Sequence, residues 1–255
     1  MHKRFLAVLL AIILATLIAT PTSTVSAQSS SMEKPRQYTY VSLWAVPRAQ
    51  WGEYDKAEAA SEGNYKKLMD SGAIVSYGSF VRSAHQEGEP THGSWFTSTS
   101  LANLMHAEES FKGMVDAPVY ANSKHWDDIY ESRDYNVHSG TFTNAYLRVG
   151  VFKYRESGAQ ANEVTRATLG KALDGLVADG SLHGYTLQHE YIHTMDVNTF
   201  LIVIFCNGPE GLDKYSDMVD SMGKADPAGF AGFEANVNAT GHMDALWRIP
   251  TMSSK

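Results

Sequence analysis

Two stretches of the chain match each other in order, and a matched pair at that spacing restricts the fold to something built twice. Leu68-Met-Asp-Ser-Gly72-Ala-Ile74-Val-Ser-Tyr77 returns as Leu176-Val-Ala-Asp-Gly180-Ser-Leu182-His-Gly-Tyr185, an offset of 180 − 72 = 108 residues. Nearer the end of each half, His125-Trp-Asp127-Asp-Ile-Tyr130 is echoed by His242-Met-Asp244-Ala-Leu-Trp247, an offset of 242 − 125 = 117. A loop longer by 117 − 108 = 9 residues in the second copy reconciles the two. Such units exceed the about 20–50 residues of solenoid repeats and have the size of a small domain. The expectation is a duplicated domain.

Residues 1–27 read as an export signal outside that fold. His2-Lys3-Arg4 is a positive n-region, Phe5 to Ile18 an apolar run of 14 residues, and Val25-Ser26-Ala27 supplies small residues before Gln28. The run falls short of the about 20 residues that cross a bilayer, and no Cys stands near its end to carry a lipid. A mature periplasmic or secreted chain beginning near Gln28, without stable membrane anchoring, is expected; a retained anchor is the alternative. Losing Lys3 and Arg4 moves the net charge from −7 to −7 − 2 = −9. That acidic balance argues against nucleic acid and anionic membrane as partners. Cys206 is the only cysteine, so no intrachain disulfide forms. Within Phe200-Leu-Ile-Val-Ile-Phe-Cys206 it reads as a buried strand thiol.

Each half presents the same order of elements. Residues 38–46 alternate as a half-buried strand does, and 51–69 run helical, with Trp51, Tyr54, Tyr65, Leu68 and Met69 near one stripe closed by Gly72. Strands follow at 74–82 and 94–99, then a helix through Leu101, Leu104, Met105, Phe111 and Met114, and a strand around 126–131. The second half repeats this. A strand at 144–153 leads to a helix through Val164, Leu169, Leu173 and Val177, strands at 182–194 and 198–206, a helix through Leu212, Tyr215 and Met222, and a strand at 243–249. Residues 223–241, rich in Gly and Ala, read as an ordered loop, and 29–35 and 253–255 as frayed tails.

This βαββαβ order, met twice, is that of the ferredoxin-like unit, whose sheet has one face for its helices and another still needing cover. Two copies can cover each other, with about eight strands closing around a shared interior. On element order the chain resembles the dimeric α+β barrel superfamily in tandem-fused form. The resemblance implies an α+β fold of two ferredoxin-like repeats, residues 38–138 and 139–255, in a pseudo-twofold barrel behind a flexible tail at 28–37. Trp95-Phe-Thr-Ser98-Thr-Ser-Leu101, with His106 and Phe111 behind it, is similar to the strand-to-helix signature of the antibiotic-biosynthesis monooxygenase-like branch. In the second half Leu212 keeps the Leu place, but Asp217 stands where His106 would be.

Alternation decides which side chains share a strand face. In the strand from Asn144, the apolar set Ala145, Leu147, Val149 and Val151 is assigned to the helices, so Tyr146 and Arg148 point inward. The matching first-half strand puts Tyr40, Ser42 and Trp44 inside; His183, Tyr185, His189, Tyr191 and His193 share another inward face, with Tyr77 the counterpart of Tyr185. The expected interior is therefore aromatic and polar. One reading is a wet core satisfied by mutual hydrogen bonds and trapped water, a non-catalytic structural module. The leading one is a pocket for a small aromatic or anionic molecule, formed by Tyr40, Trp44, Tyr77, Tyr146, Arg148, His183, Tyr185 and His189. Arg148 would orient an anionic group, since a buried guanidinium needs a partner and no acid alternates in beside it. His189, His183 and His106 are the candidates for proton transfer, in oxygenase-like or isomerase-like chemistry.

Two metal readings compete, and the leading expectation includes neither. His189-Glu190-Tyr191-Ile192-His193 fits the H-E-x-x-H pattern of zinc metalloproteases, whose histidines must share one helical face. Its position calls for a strand, where the two imidazoles would stand about 13 Å apart and share no ion. His125 with Asp127, and His242 with Asp244, would suit a divalent metal if twofold symmetry brought the pairs together; alone, each is a surface His–carboxylate contact. Heme, a cofactor that the superfamily sometimes carries in the tandem chlorite dismutase branch, would take His106 or an interior histidine as axial ligand.

Overall fold

A computed structural model, which describes residues 34–113, 117–155, 169–192, 198–237 and 241–255, shows what the first matched pair, 68–77 and 176–185, shares: each is a helix end turning into a strand. The stretch expected to be an export signal (residues 1–27), residues 28–33, Met114, Val164 and His193 lie outside the described residues. After β1 (Gln37–Ala45), a short 3₁₀ turn at Arg48–Gln50 leads into α1 (Trp51–Asp70). Gly72 takes φ +78°, Gly72 N donates to Met69 O and Ala73 N to Leu68 O. This is a Schellman ending, open to Gly at no steric cost because it lacks Cβ. It aims the chain into β2 (Ser76–Arg82). Gly180, at φ +79°, does the same between α4 (Lys171–Ala178) and β6 (Leu182–Glu190), donating to Val177 O.

The other elements are β3 (His92–Ser98), α2 (Leu101–Glu109), α3 (Pro118–Ala121), β4 (Lys124–Val137), β5 (Gly140–Lys153), β7 (Thr199–Cys206), α5 (Gly208–Ala225), α6 (Pro227–Asn236) and β8 (Met243–Ser254). The eight strands close into an antiparallel barrel in the order β1-β3-β2-β8-β5-β7-β6-β4. With six α-helices among the described residues, the fold is mixed α/β. Strands of one half are contiguous around the ring, β4-β1-β3-β2 followed by β8-β5-β7-β6, and the halves join at β2–β8 and β6–β4.

Three expectations at element ends are corrected. β4 runs well beyond residue 131 because it serves two partners, pairing with β1 through Ser132 and with β6 from Tyr130 to Val137. Ser253 and Ser254 are buried in β8, opposite Tyr77 and Ser76 on one side and Thr141 and Gly140 on the other, so the C-terminus is woven in rather than frayed. Residues 223–241 hold α6 rather than only a loop: Pro227 starts it, where a missing N–H costs nothing, and Phe233 packs 5.8 Å from Phe152.

The barrel wall is buried on both faces. Inside, Phe80, Trp95, Leu147, Leu201, Val203, Phe205 and Trp247 form a cluster drawn only from strands. Trp95 and Phe205, on opposite sides of the ring, approach to 5.7 Å across the lumen. Gly78 makes room for this, since a Cβ there would fall 2.2 Å from the Trp95 ring. Outside, Leu173 and Val177 of α4 and Tyr215 of α5 pack on Leu182, Tyr185, Phe200, Ile202, Ile204 and Cys206. On the other half, α1 and α2 bury Tyr65 and Leu104 against Tyr77 and Phe96. A side chain as fully enclosed as Leu173 or Ile204 contributes about 1.5–3 kcal/mol.

The expected inward and outward faces are thereby exchanged. Ala145, Leu147, Val149 and Val151 belong to the lumen cluster, and Tyr146 packs with the helix-side cluster. All eight residues of β7 are buried, so both its faces are apolar and hydrophobicity carries no sign for inside.

Candidate functional site

The stripe of α1 that buries Tyr54, Ser61 and Tyr65 and half-buries Glu58 carries more than packing. Tyr54, Glu58, Ser61 and Tyr65 follow at i, i+4, i+7 and i+11, which places them on one helix face. That face looks onto the outer side of the barrel. Between α1 and strands β2, β3 and β8 lies a cleft of about 790 Å³, whose walls include Trp51, Tyr54, Glu58, Tyr65, Tyr77, His92 and Tyr146. On the opposite flank of α1 a smaller cavity, about 210 Å³, is lined by Tyr40, Trp44, Tyr120, His125 and Asp127, and again by Glu58 and Tyr65. The carboxyl and phenol therefore stand in the wall common to both.

Burial pushes the Glu58 carboxyl up to about 8, with the Glu62 charge adding to the rise and a hydrogen bond from Tyr65 opposing it. Tyr65 Oη lies within hydrogen-bond reach of Glu58 and 3.2 Å from Ser94 Oγ. When protonated, the carboxyl can pass a hydrogen bond to Tyr65, and Tyr65 to Ser94. Tyr65 stacks on Tyr77 at 5.0 Å and 5°, and Tyr77 Oη donates to Glu62 at 3.4 Å. His92 stands in the cleft wall, its ring centroid 4.9 Å from that of Trp51 and 4.6 Å from that of Tyr54. Burial first, then the Arg48 and His85 charges, push its imidazole down to about 4, so it is neutral at physiological pH. Its Nδ1 meets Thr91 Oγ1 at 2.9 Å, while Nε2 and the Tyr54 hydroxyl have no hydrogen-bond partner.

The eight residues expected to ring one lumen are dispersed rather than gathered. Tyr77 and Tyr146 line the large cleft, Tyr40 and Trp44 the smaller cavity. Arg148 lines a third cavity, about 610 Å³, beside α5 and α6. It has the acidic partner that strand alternation did not reveal: Nη2 is 2.9 Å from Asp244 Oδ1, and Nη1 donates to Tyr215 Oη at 3.0 Å. Asp244 comes from the neighbouring strand. His183, Tyr185 and His189 line none of these cavities. His183 stacks on Phe142 at 4.1 Å, and Tyr185 Oη donates to Asp174 at 3.0 Å. Burial lowers the pKa of both His183 and His189. His106 is an exposed residue of α2, 3.6 Å from Glu109.

The metal readings meet the same geometry. His125 pairs with Asp127 at 2.9 Å and His242 with Asp244 at 3.4 Å, but β4 and β8 stand four strands apart in the ring, so the pairs share no ion. Among the described residues, no group of three or more His, Cys, Asp or Glu side chains gathers as a metal site. His189 and Glu190 lie in β6, an extended strand, without the helical face that H-E-x-x-H chemistry needs. For heme, none of His106, His183 and His189 lines the three cavities described above, and His92, which does line the cleft, has its Nε2 buried.

Glu58 and His92 escaped the sequence reading, although Tyr54 and Tyr65 were placed on the right stripe. An acid four residues after Tyr54 on that stripe is the available signal for Glu58. Nothing local marks His92, whose surroundings come from β3 docking under α1.

No family model and no curated protein sequence matches the chain. Solved structures do. A candidate monooxygenase of Fusobacterium nucleatum superposes with TM-score 0.63 at 8% identity, covering 88% of this chain and 96% of that one. An anthrone oxidase-like protein gives 0.52 at 13%, covering 87% and 94%. A chlorite dismutase of Candidatus Nitrospira defluvii gives 0.52 at 11%, covering 83% and 90%. The chain shares the α+β barrel fold of these proteins.

Proposed function

We propose that the chain is a tandem-fused α+β barrel protein that binds a small aromatic molecule in the cleft under α1 and oxidises it in a monooxygenase-like reaction. One observation carries this reading: a carboxyl–phenol pair, Glu58 with Tyr65, enclosed in the wall between two cavities. A carboxyl that titrates near pH 8 suits a general base at neutral to mildly alkaline pH. Tyr77 and Tyr146 offer ring and hydroxyl surface for an aromatic substrate. The likeness to monooxygenase and anthrone oxidase-like structures supports the reaction class. The strand order β4-β1-β3-β2 and β8-β5-β7-β6, with paired helix-ending glycines, supports two ferredoxin-like repeats as the origin of the barrel. Export through the N-terminal signal belongs to the same proposal.

The chemistry divides between the protein and dioxygen. Glu58, as carboxylate, takes a proton from a CH₂ made acidic by a neighbouring carbonyl-bearing ring system, leaving a delocalised carbanion. Reaction with dioxygen converts the CH₂ to C=O and releases one water. Tyr65 and Ser94 hold the carboxyl and share its proton. Oxygen uptake with anthrone as probe tests this. Uptake rises with pH through about 8. Replacing Glu58 by Gln lowers it by about 10²–10⁴-fold, and Glu58→Gln protein with undiminished uptake would remove the assignment.

A further inference from the structure

The barrel itself encloses a fourth cavity, about 700 Å³, with walls from all eight strands. It lies on the opposite face of β2 from the α1 cleft. Val41, Leu147, Val149 and Val203 make its sides, and Trp95 and Trp247 line it as well. The Trp95–Phe205 contact narrows the lumen on one side of it. The cavity opens where β1 and β2 end and β8 begins, beside the β2–β3 loop at His85, Glu89 and Pro90. A volume of this size falls within the about 300–1,000 Å³ of small-molecule sites.

Rim and depth differ in chemistry. Deep in the barrel, Thr39 Oγ1 accepts from Gln188 Nε2 at 3.3 Å and meets Thr97 Oγ1 at 3.0 Å, so these polar groups satisfy one another. The cavity walls ask for an apolar body. At the rim, Met243 is 65% exposed, and Trp126, opposite Leu43 in the β1–β4 register, is 40% exposed. These are two of the three large apolar side chains that stand open among the described residues. An apolar guest passing the rim would cover both. Three carboxylates line the cavity near the rim: Glu89 is paired with Arg82 at 3.0 Å, Asp244 with Arg148 at 2.9 Å, and Asp128 is hydrogen-bonded to Tyr130, a neutral group that leaves its charge in place.

We propose that this lumen is a binding site, separate from the cleft, for a long apolar molecule with a neutral or cationic head, which enters tail first and leaves its head at Asp128. An anionic head is disfavoured by the Asp128 carboxylate.

Dodecylamine, dodecanol and dodecanoate, each below its micelle concentration at pH 7.5, serve as probes, read by the change in tryptophan fluorescence. Dodecylamine and dodecanol bind, and dodecanoate binds at least tenfold more weakly. Val149→Trp, which fills the cavity, abolishes binding of all three. Should that variant fail to fold, Asp128→Asn decides instead: it keeps the volume, weakens dodecylamine at least threefold and leaves dodecanol unchanged. Glu58→Gln binds all three as the parent does, which separates this site from the cleft. The proposal is overturned if neither dodecylamine nor dodecanol binds, if folded Val149→Trp still binds them, if dodecanoate binds as tightly as the amine, or if Asp128→Asn leaves the amine unaffected.

Discussion

Substituting Glu58 by Gln should stabilise the protein at high pH and do little at low pH. In the unfolded chain a glutamate loses its proton near 4.5, and in the fold Glu58 holds it to about 8. Between those values the unfolded state has released a proton that the native state keeps, so native stability falls as pH rises. At about 1.4 kcal/mol per pH unit, the gap corresponds to at most about 5 kcal/mol by pH 9. Glu58 borders two cavities that admit water, which screens the charge; a loss of about 2–3 kcal/mol is the working figure. Gln has nearly the same shape and no charge to desolvate. Urea midpoints of parent and variant at pH 5, 7 and 9 test this, since a change of about 2 kcal/mol is well outside extrapolation error. The two proteins should match within about 0.5 kcal/mol at pH 5 and diverge in favour of Gln by pH 9. Parallel pH profiles would show that the carboxyl titrates normally and that the enclosed acid described above is wrong.

Three further outcomes are expected. Gly72→Ala, at φ +78°, places a Cβ in the left-handed region and should lower unfolding free energy by about 1–2 kcal/mol in a denaturant melt; a neutral result would contradict the helix-ending geometry. The Cys206 thiol, pushed up to about 12 by burial, should resist a thiol reagent at pH 8 in the folded protein and react once denatured. Mass measurement of the protein recovered from an exporting bacterial host should give a chain starting at Gln28, and an intact Met1 terminus there would sink cleavage of the signal in favour of a retained anchor.

Much of the architecture was legible in sequence. The helix-ending glycines Gly72 and Gly180 mark conformations that few other residues tolerate, so their spacing carried the position of a helix and a following strand in each half. Strand alternation grouped Leu147 with Val149 and Tyr146 with Arg148 correctly. The buried thiol of Cys206 followed from its apolar run. Local composition misled where partners lay far away in the chain. Residues 253–255 looked like a polar tail, yet β8 lies between β2 and β5 and buries Ser253 and Ser254. Arg148 looked unpaired because Asp244, its partner at 2.9 Å, is 96 residues on (244 − 148).

By itself, then, the sequence determined the order of the strands and of the longer helices and most of which side chains share a face, because those follow from backbone period and from what glycine alone can do cheaply. Which face turns inward was decided only in the closed barrel. Its wall meets helices on one side and its own lumen on the other, and both exclude water. Hydrophobicity measures distance from water and is blind to which dry compartment a side chain enters. The enclosed acid at Glu58 has the same origin: its burial and its altered proton affinity exist only once α1 lies across β2 and β3.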